Sequence, residues 1–327
     1  MSGLSARDSA ALAFRRMARP RLAEFVFWAA AAASWAFLPE QALLLNEVAI
    51  FGLFALSLDF VLGYAGIVSL GHAAFFGVGA YMAGILAKHG VDGPLLGLLA
   101  SGVVAGAIGF ATSFLVLRGS DLTRIMVTLS VSLVLFELAN RLNWLTGGAD
   151  GLQGMSVGPI LGLFEFDMYG RVGYAYSLIV TFVLLMVARR ILASPFGWSV
   201  RAVKENALRT ASIGIPVNAR LVAIYTIAAA YAGIAGALLA QTTQFVSLDV
   251  LAFHRSADVL LMLVIGGVGY LYGGLVGALV FKFMQDSLSS ITPQYWQFWI
   301  GLLLVVFVLV GRERTFGWPR LLFRRRA

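Results

Sequence analysis

The sequence contains no cysteine, which excludes disulfides, thiolate metal sites and cysteine nucleophiles. Charge is nearly as scarce. Asp, Glu, Lys and Arg make up only 12% of the chain, about half the ~25% of a soluble domain. So few charges cannot cover the water-facing surface of 327 residues, so an ordinary soluble enzyme and a disordered chain are both excluded. The only three lysines are Lys88, Lys204 and Lys282, and none completes GxxxxGK[ST]. The chain therefore lacks a P-loop of its own, and GxSxG and HExxH are absent too. No catalytic residue, metal or cofactor is expected.

What is abundant is hydrophobic side chain, 60% of the residues. At about 20 mostly apolar residues per transmembrane helix, that is enough for roughly eight to ten spans. Apolar runs lie at about 22–38, 43–62, 73–87, 95–117, 122–142, 172–188, 221–239, 257–265, 271–288 and 296–310. The run at 257–265 is too short to span unless its flanks contribute. The fold class is an all-α polytopic membrane protein of about ten helices, two of them short and glycine-interrupted, with one amphipathic helix at the membrane face.

The net charge of +8 is unevenly placed. With the N-terminus inside, 19 of the 24 Lys and Arg residues fall in inside segments, and four fall at or near the outside. This bias predicts that both termini are cytoplasmic. It also argues against nucleic acid as a partner, since the basic residues sit where an inner-membrane protein puts them. Arg7, Arg15, Arg16, Arg19 and Arg21 precede the first apolar run, which reads as a retained span rather than a cleaved signal. The expected organisation is a basic cytoplasmic N-terminus (1–24), one transmembrane domain (25–311) with a cytoplasmic loop at about 191–220, and a basic cytoplasmic C-terminus (312–327).

Four features do not look like lipid-facing filler. The first is GYAGIVSLGHAAFFGVGAY at 63–81. Its glycines weaken a helix by about 1 kcal/mol each relative to alanine, and backbone freed in this way must be buried in protein or line a cavity. Gly63, Tyr64, Gly66, Ser69, Gly71 and His72 are therefore candidates for the translocation route. His72 has no Cys, His or carboxylate near it in sequence and reads as a hydrogen-bonding residue, not a metal ligand. The second feature is IGGVGYLYGGLVGA at 265–278, which places Gly266, Gly267 and Gly269 in the same class. Paired glycine-interrupted segments in the two halves of a transporter point to its pathway.

The third feature is the loop SPFGWSVRAVKENALRTASIGIPVNAR at 194–220. Phe196, Val200, Val203, Ala207 and Ala211 form a stripe at helical spacing, with Arg201, Lys204, Glu205 and Arg209 on the other side. The pattern predicts one short helix over about 200–213, stopped by Gly214 and Pro216. It would lie along the membrane face, either in the headgroups or with its stripe in a groove on a soluble partner. The fourth feature is the set of charges inside apolar runs: Glu47, Asp59, Glu137, Asp258 and Lys282. Such groups are costly in a membrane and often functional.

Four stretches together resemble the permease subunits of ATP-binding-cassette importers for branched-chain amino acids, in particular the LivM type. They are GYAGIVSLGH at 63–72 with AFFGVGAY after it, LTGGADGL at 145–152, RAVKENAL at 201–208 running to Ile213-Gly-Ile215, and 253–258 followed by GGVGYLYG at 266–273. The resemblance implies an outer-loop motif at Thr146, Gly147, Gly148 and Asp150. It implies an ATPase-coupling segment at Arg201, Lys204, Glu205, Asn206, Ala207 and Gly214. It also implies partners: a second, LivH-type permease subunit, two cytoplasmic ATPase subunits and a periplasmic solute-binding protein, all around a bilayer-embedded pathway in the bacterial inner membrane. The sequence departs from the family pattern at 118–124, Leu248 and Gly274. Urea, short-amide and aromatic-acid importers use similar subunits, so the solute stays open. The competing reading is an ion-coupled secondary transporter using Asp59, Glu137 or Asp258, or a channel.

Overall fold

In the computed structural model, the described residues are 22–302, apart from 161, 163, 168, 292 and 296, together with residue 305. The basic termini and part of the apolar run at 296–310 lie outside them. The described residues form helices joined by short loops, with two isolated β-bridges and no extended strand.

The helices are α1 (Leu22–Phe37), α2 (Ala42–Asp59), α3 (Ala73–Lys88), α4 (Pro94–Val116), α5 (Asp121–Arg141), the single turn α6 (Asn143–Thr146), α7 (Arg171–Ala193), α8 (Pro195–Glu205), α9 (Ala207–Ser212), α10 (Val217–Thr243), α11 (Phe253–Gly266) and α12 (Gly273–Ile291). Among the described residues, five helical segments are long and apolar enough to cross a membrane: α2 with its flanking turns, α4, α5, α7 and α10. The helix over the run at 257–265 does gain from its flanks. Even so, its 14 residues reach only about 21 Å at 1.5 Å per residue, short of the ~30 Å hydrocarbon thickness.

Helix α2 is the axis of the bundle and packs against α7, α10 and α12. Helices α3, α4 and α10 form the other half, backbone against backbone. Small residues permit this: a Cβ on Gly236 would lie 1.8 Å from the carbonyl oxygen of Phe76. The faces of α4, α5 and α7 turned away from the bundle are apolar, with Val103, Leu133 and Ile179 exposed. Lipid tails suit these faces.

The cytoplasmic-loop pattern departs from expectation. The predicted single helix over 200–213 is two helices, α8 and α9, meeting at Asn206 in extended geometry (φ −158°, ψ 100°). Asn206 breaks the run because its side-chain oxygen accepts from the Arg209 N–H at 2.9 Å, capping a new helix. The apolar stripe divides with it. Val200 and Val203 are buried against the rest of this chain, while Ala207 and Ala211 are exposed. The stripe as a whole therefore cannot enter a partner's groove. The outward apolar side chains of this elbow are Leu208 and Ile213, 82% and 74% exposed.

Candidate functional site

Helix α2 does not end cleanly. It loosens into a π-turn, Phe60–Tyr64, and the chain then runs without regular secondary structure to His72. Two regions far apart in sequence come to this turn. From the α11–α12 connection, the Gly269 N–H donates to Asp59 Oδ1 at 2.7 Å. From α8, Lys204 Nζ donates to the Gly63 carbonyl at 2.6 Å. The Arg201 guanidinium lies over the Tyr64 ring, 5.0 Å from its centroid, and over Trp198. Gly63 is obligatory here: a Cβ would meet Asp59 Oδ1 at 1.9 Å and the Gly269 nitrogen at 2.6 Å. Gly66 takes a positive φ of 76°, with the Lys204 stem packed on it. The two glycine-rich segments thus meet in one hub, and Arg201 and Lys204 face into it rather than away from the molecule.

Beyond the hub, this irregular stretch is buried against α2, α5 and α11. Ser69 and His72 are fully enclosed at 1% and 0% exposure. Gly71 lies so close to α5 that a Cβ would fall 1.9 Å from the Thr128 carbonyl oxygen. His72 Nε2 pairs with Ser57 Oγ at 2.9 Å, and its ring stacks on Phe54. The Ser57 hydroxyl also lies within hydrogen-bond distance of the Phe54 carbonyl, and the buried His72 Nδ1 has no hydrogen-bond partner among the described residues. The Ala73 N–H, in the first turn of α3, donates to Ser256 Oγ in the first turn of α11 at 2.9 Å. Two helices therefore begin side by side in the interior. Helix α11 runs from there to the hub.

Helix α3 runs from the same point to the 145–155 loop, where Leu152 and Met155 meet Gly84. In that loop Thr146 Oγ1 donates to the Ala139 carbonyl at 2.6 Å and accepts from the Gly148 N–H. Gly147 and Gly148 take positive φ. Asp150 is exposed. The Leu152–Val246 bridge ties this loop to the segment after α10.

The charges flagged inside apolar runs separate into three groups. Glu137 pairs with Arg141 on exposed surface near the end of α5. Asp59 belongs to the hub. Glu47, Asp258 and Lys282 come together on one face of α2, α11 and α12. Lys282 Nζ pairs with Glu47 at 2.8 Å and sits 4.0 Å from the centroid of the Phe51 ring. Arg255 lies over the same ring. Three residues of this group were not singled out from sequence as in-span charges: Asp249, His254 and Arg255. They sit just before and in the first turn of α11, where the apolar pattern had not yet begun. Asp249 takes Arg255 Nε at 2.9 Å and His254 Nε2 at 3.0 Å. Among the described residues, no group of three or more His, Cys, Asp or Glu side chains is arranged to hold a metal ion.

Apolar helices wrapped around a broken core, with charges at mid-helix depth, define a multi-pass membrane protein of the transporter class. The chain belongs to the family described as branched-chain amino acid transport system / permease component, whose model matches residues 42–308. It is 27% identical over 282 residues to the high-affinity branched-chain amino acid transport system permease protein LivM of Escherichia coli, covering 80% of this chain and 66% of that protein. It is 25% identical to LivH of Salmonella typhimurium over 82% of this chain and 92% of that protein. The ribose import permease protein RbsC of Bacillus subtilis matches at 26% identity over 83% of this chain and 84% of that protein. The chain thus spans slightly under two thirds of the length of the LivM proteins it matches. No solved structure matches it significantly.

Proposed function

We propose that this chain is one of two permease subunits of an ATP-driven importer for branched-chain amino acids in the bacterial inner membrane. A LivH-type subunit would be its partner, two cytoplasmic ATPases would drive it, and a periplasmic binding protein would deliver the solute. The observation that carries this reading is the bond from Lys204 to the Gly63 carbonyl. It connects a surface elbow directly to the broken helix at the centre of the fold. On this reading the energy arrives through a protein contact, and α8–α9 is placed to receive one. Glu205, Ala207, Leu208 and Ile213 face outward, and Arg201 and Lys204 grip the hub.

On this reading Gly63, Tyr64, Gly66, Gly266, Gly267 and Gly269 form the moving joint beside the route. Ser69, Gly71 and His72 form the wall behind it. Asn206 and Gly214 set the angle and the end of the coupling elbow. Movement of the elbow would shift the π-turn and the α11–α12 connection together, alternately opening the two sides.

Two experiments test this. The variants Leu208→Asp and Ile213→Asp place a charge on the exposed apolar contact, and each should weaken ATPase association about tenfold or more, by the cost of burying an unpaired charge in an interface. Co-purification from membranes containing the full complex reads the effect, while the chain itself stays inserted. Normal ATPase binding and uptake in both variants would remove the elbow from the coupling route. For orientation, reporter fusions after Gly170 and after Gly214 should lie on opposite sides, periplasmic and cytoplasmic in that order. The same side for both would overturn the topology.

A further inference from the structure

We propose that the groove between α4 and α10 holds an anionic phospholipid, its headgroup at Arg118 and an acyl chain running between the two helices. The proposal goes beyond the importer reading, since it needs only that these two helices cross a bilayer.

The groove follows from the way the helices cross. They run antiparallel, with glycines at their contact: a Cβ on Gly109 of α4 would lie 2.3 Å from the Ala229 Cβ, and one on Gly233 of α10 would lie 2.3 Å from the Ala105 Cβ. Small residues hold the two together along this stretch. After Gly109, α4 continues with Phe110, Ser113, Phe114 and Leu117, and the helices part toward the end of α4 and the start of α10. The space between them is about 1050 Å³, at the upper end of the range for ligand sites. It opens outward, since Phe110 and Phe114 line it and are 50% and 49% exposed.

Polarity is graded along the groove. Arg118 and Asn218, both exposed, line one end, and Phe110 and Ile227 line the other. The two hydroxyls between them are turned onto their own helices. Ser113 Oγ donates to the Phe110 carbonyl at 2.6 Å, and Thr226 Oγ1 donates to the Val222 carbonyl at 2.9 Å. Ordered water needs several polar partners, so this inner part suits hydrocarbon instead. From Arg118 to Phe110 is about 12 Å along the axis, close to the ~15 Å that one leaflet contributes to the hydrocarbon core. Arg118 lies just beyond the end of α4, where headgroups lie. The described residues lining the groove include no carboxylate. Arg220, over the Phe196 ring, adds a second positive charge at the same level of α10. A guanidinium donates well to phosphate oxygens. A net negative headgroup fits this end, whereas the ammonium of a zwitterionic one would find no counter-charge there. Basic pockets between transmembrane helices select headgroups on this principle.

The test uses the full chain with the subunits that purify with it, equilibrated with equal phosphatidylglycerol and phosphatidylethanolamine and then washed in detergent. Native mass spectrometry counts the phospholipid retained. Phosphatidylglycerol should stay on the parent in preference to phosphatidylethanolamine, and millimolar inorganic phosphate should not displace it. Arg118→Gln should lower its retention at least about tenfold, the low end for a charged hydrogen bond, and Arg118→Lys should recover part of it. In vesicles, Phe114→Trp places a reporter in the groove. Phosphatidylglycerol with brominated chains should quench its added emission more than brominated phosphatidylethanolamine does, and adding Arg118→Gln should remove that preference. Both substitutions are at exposed positions, so elution at the parent position is expected of each. Equal retention of the two lipids, or unchanged retention in Arg118→Gln, would overturn the anionic site. Displacement by inorganic phosphate would reduce it to a simple anion site. No retained lipid and no quenching would mean that another segment or a partner chain fills the groove. None of these readings involves ATP or uptake. Failure of the importer reading shows separately, as absence of ATP-dependent uptake by the complex with the unaltered chain.

Discussion

Gly236→Val should all but eliminate folded protein. The new Cβ would sit 1.8 Å from the Phe76 carbonyl oxygen and 3.0 Å from the Ala80 nitrogen. Both neighbours are backbone, so no flexible side chain can swing aside. One turn away the same contact is made in reverse, where a Cβ on Gly79 would lie 2.0 Å from the Gly233 oxygen. Helices α3 and α10 could accommodate valine only by moving apart along their whole length. Overpacking costs about 1–3 kcal/mol where side chains yield and more where they cannot, against a total stability of about 5–15 kcal/mol. With backbone on both sides the cost lies above that range and exceeds the total, so the folded peak should fall about tenfold or more. Size-exclusion chromatography of a fluorescent fusion, extracted in detergent at matched expression, measures this. The control is Gly93→Ala, whose methyl meets nothing nearer than 3.5 Å. It should stay within about twofold of the parent, as surface changes generally do. A normal peak for Gly236→Val would mean that the two helices are not in backbone contact.

Small residues at such contacts are visible in a sequence, but their partners are not. The apolar runs place most of the long helices to within a few residues, because length and hydropathy are local properties. Pro94 and the Ser194-Pro195 pair mark helix starts as their chemistry requires. The glycine-rich segments at 63–71 and 266–273 could be recognised singly as breaks. That Gly63 and Gly269 touch could not, since 205 residues separate them and the contact is backbone to backbone. The same holds for Glu47 and Lys282. Each was visible as a misplaced charge, but pairing depends on how α2 and α12 pack. The elbow shows the opposite failure. A helical stripe over 196–211 suggested a continuous helix, yet Asn206 is a strong capping residue with its amide aimed at Arg209, and that local preference outweighed the period. Arg201 and Lys204 read as solvated charges because solvation is the ordinary fate of a polar stripe. Only the three-dimensional contact shows them turned inward.

The inward turn of Lys204 gives the largest functional effect expected of a single side chain here. Lys204→Met keeps the stem that packs on Gly66 and removes only the ammonium that holds the Gly63 carbonyl. The lost bond is a charged one of about 1.5–3 kcal/mol, and the carbonyl is left with no replacement donor from this side chain. Helix α8 retains its Ser194 cap, its buried Val200 and Val203, and the stacking of Arg201 on Tyr64. The elbow therefore stays folded and its outer face is unchanged. What weakens is the grip between elbow and π-turn. If that grip transmits the work of ATP hydrolysis, ATPase subunits should bind the variant normally and continue to hydrolyse ATP, while uptake falls about tenfold to a hundredfold, the equivalent of the lost bond. Lys204→Arg can still donate to the carbonyl and should recover a large part of the uptake. The measurement is the ratio of solute moved to ATP consumed in vesicles holding the complete complex. A merely structural role would lower both quantities together with the amount of assembled complex and leave the ratio unchanged. An unchanged ratio in Lys204→Met, at normal assembly, would show that force does not pass through this bond, and the coupling route would have to run through the packing of Val200 and Val203 instead.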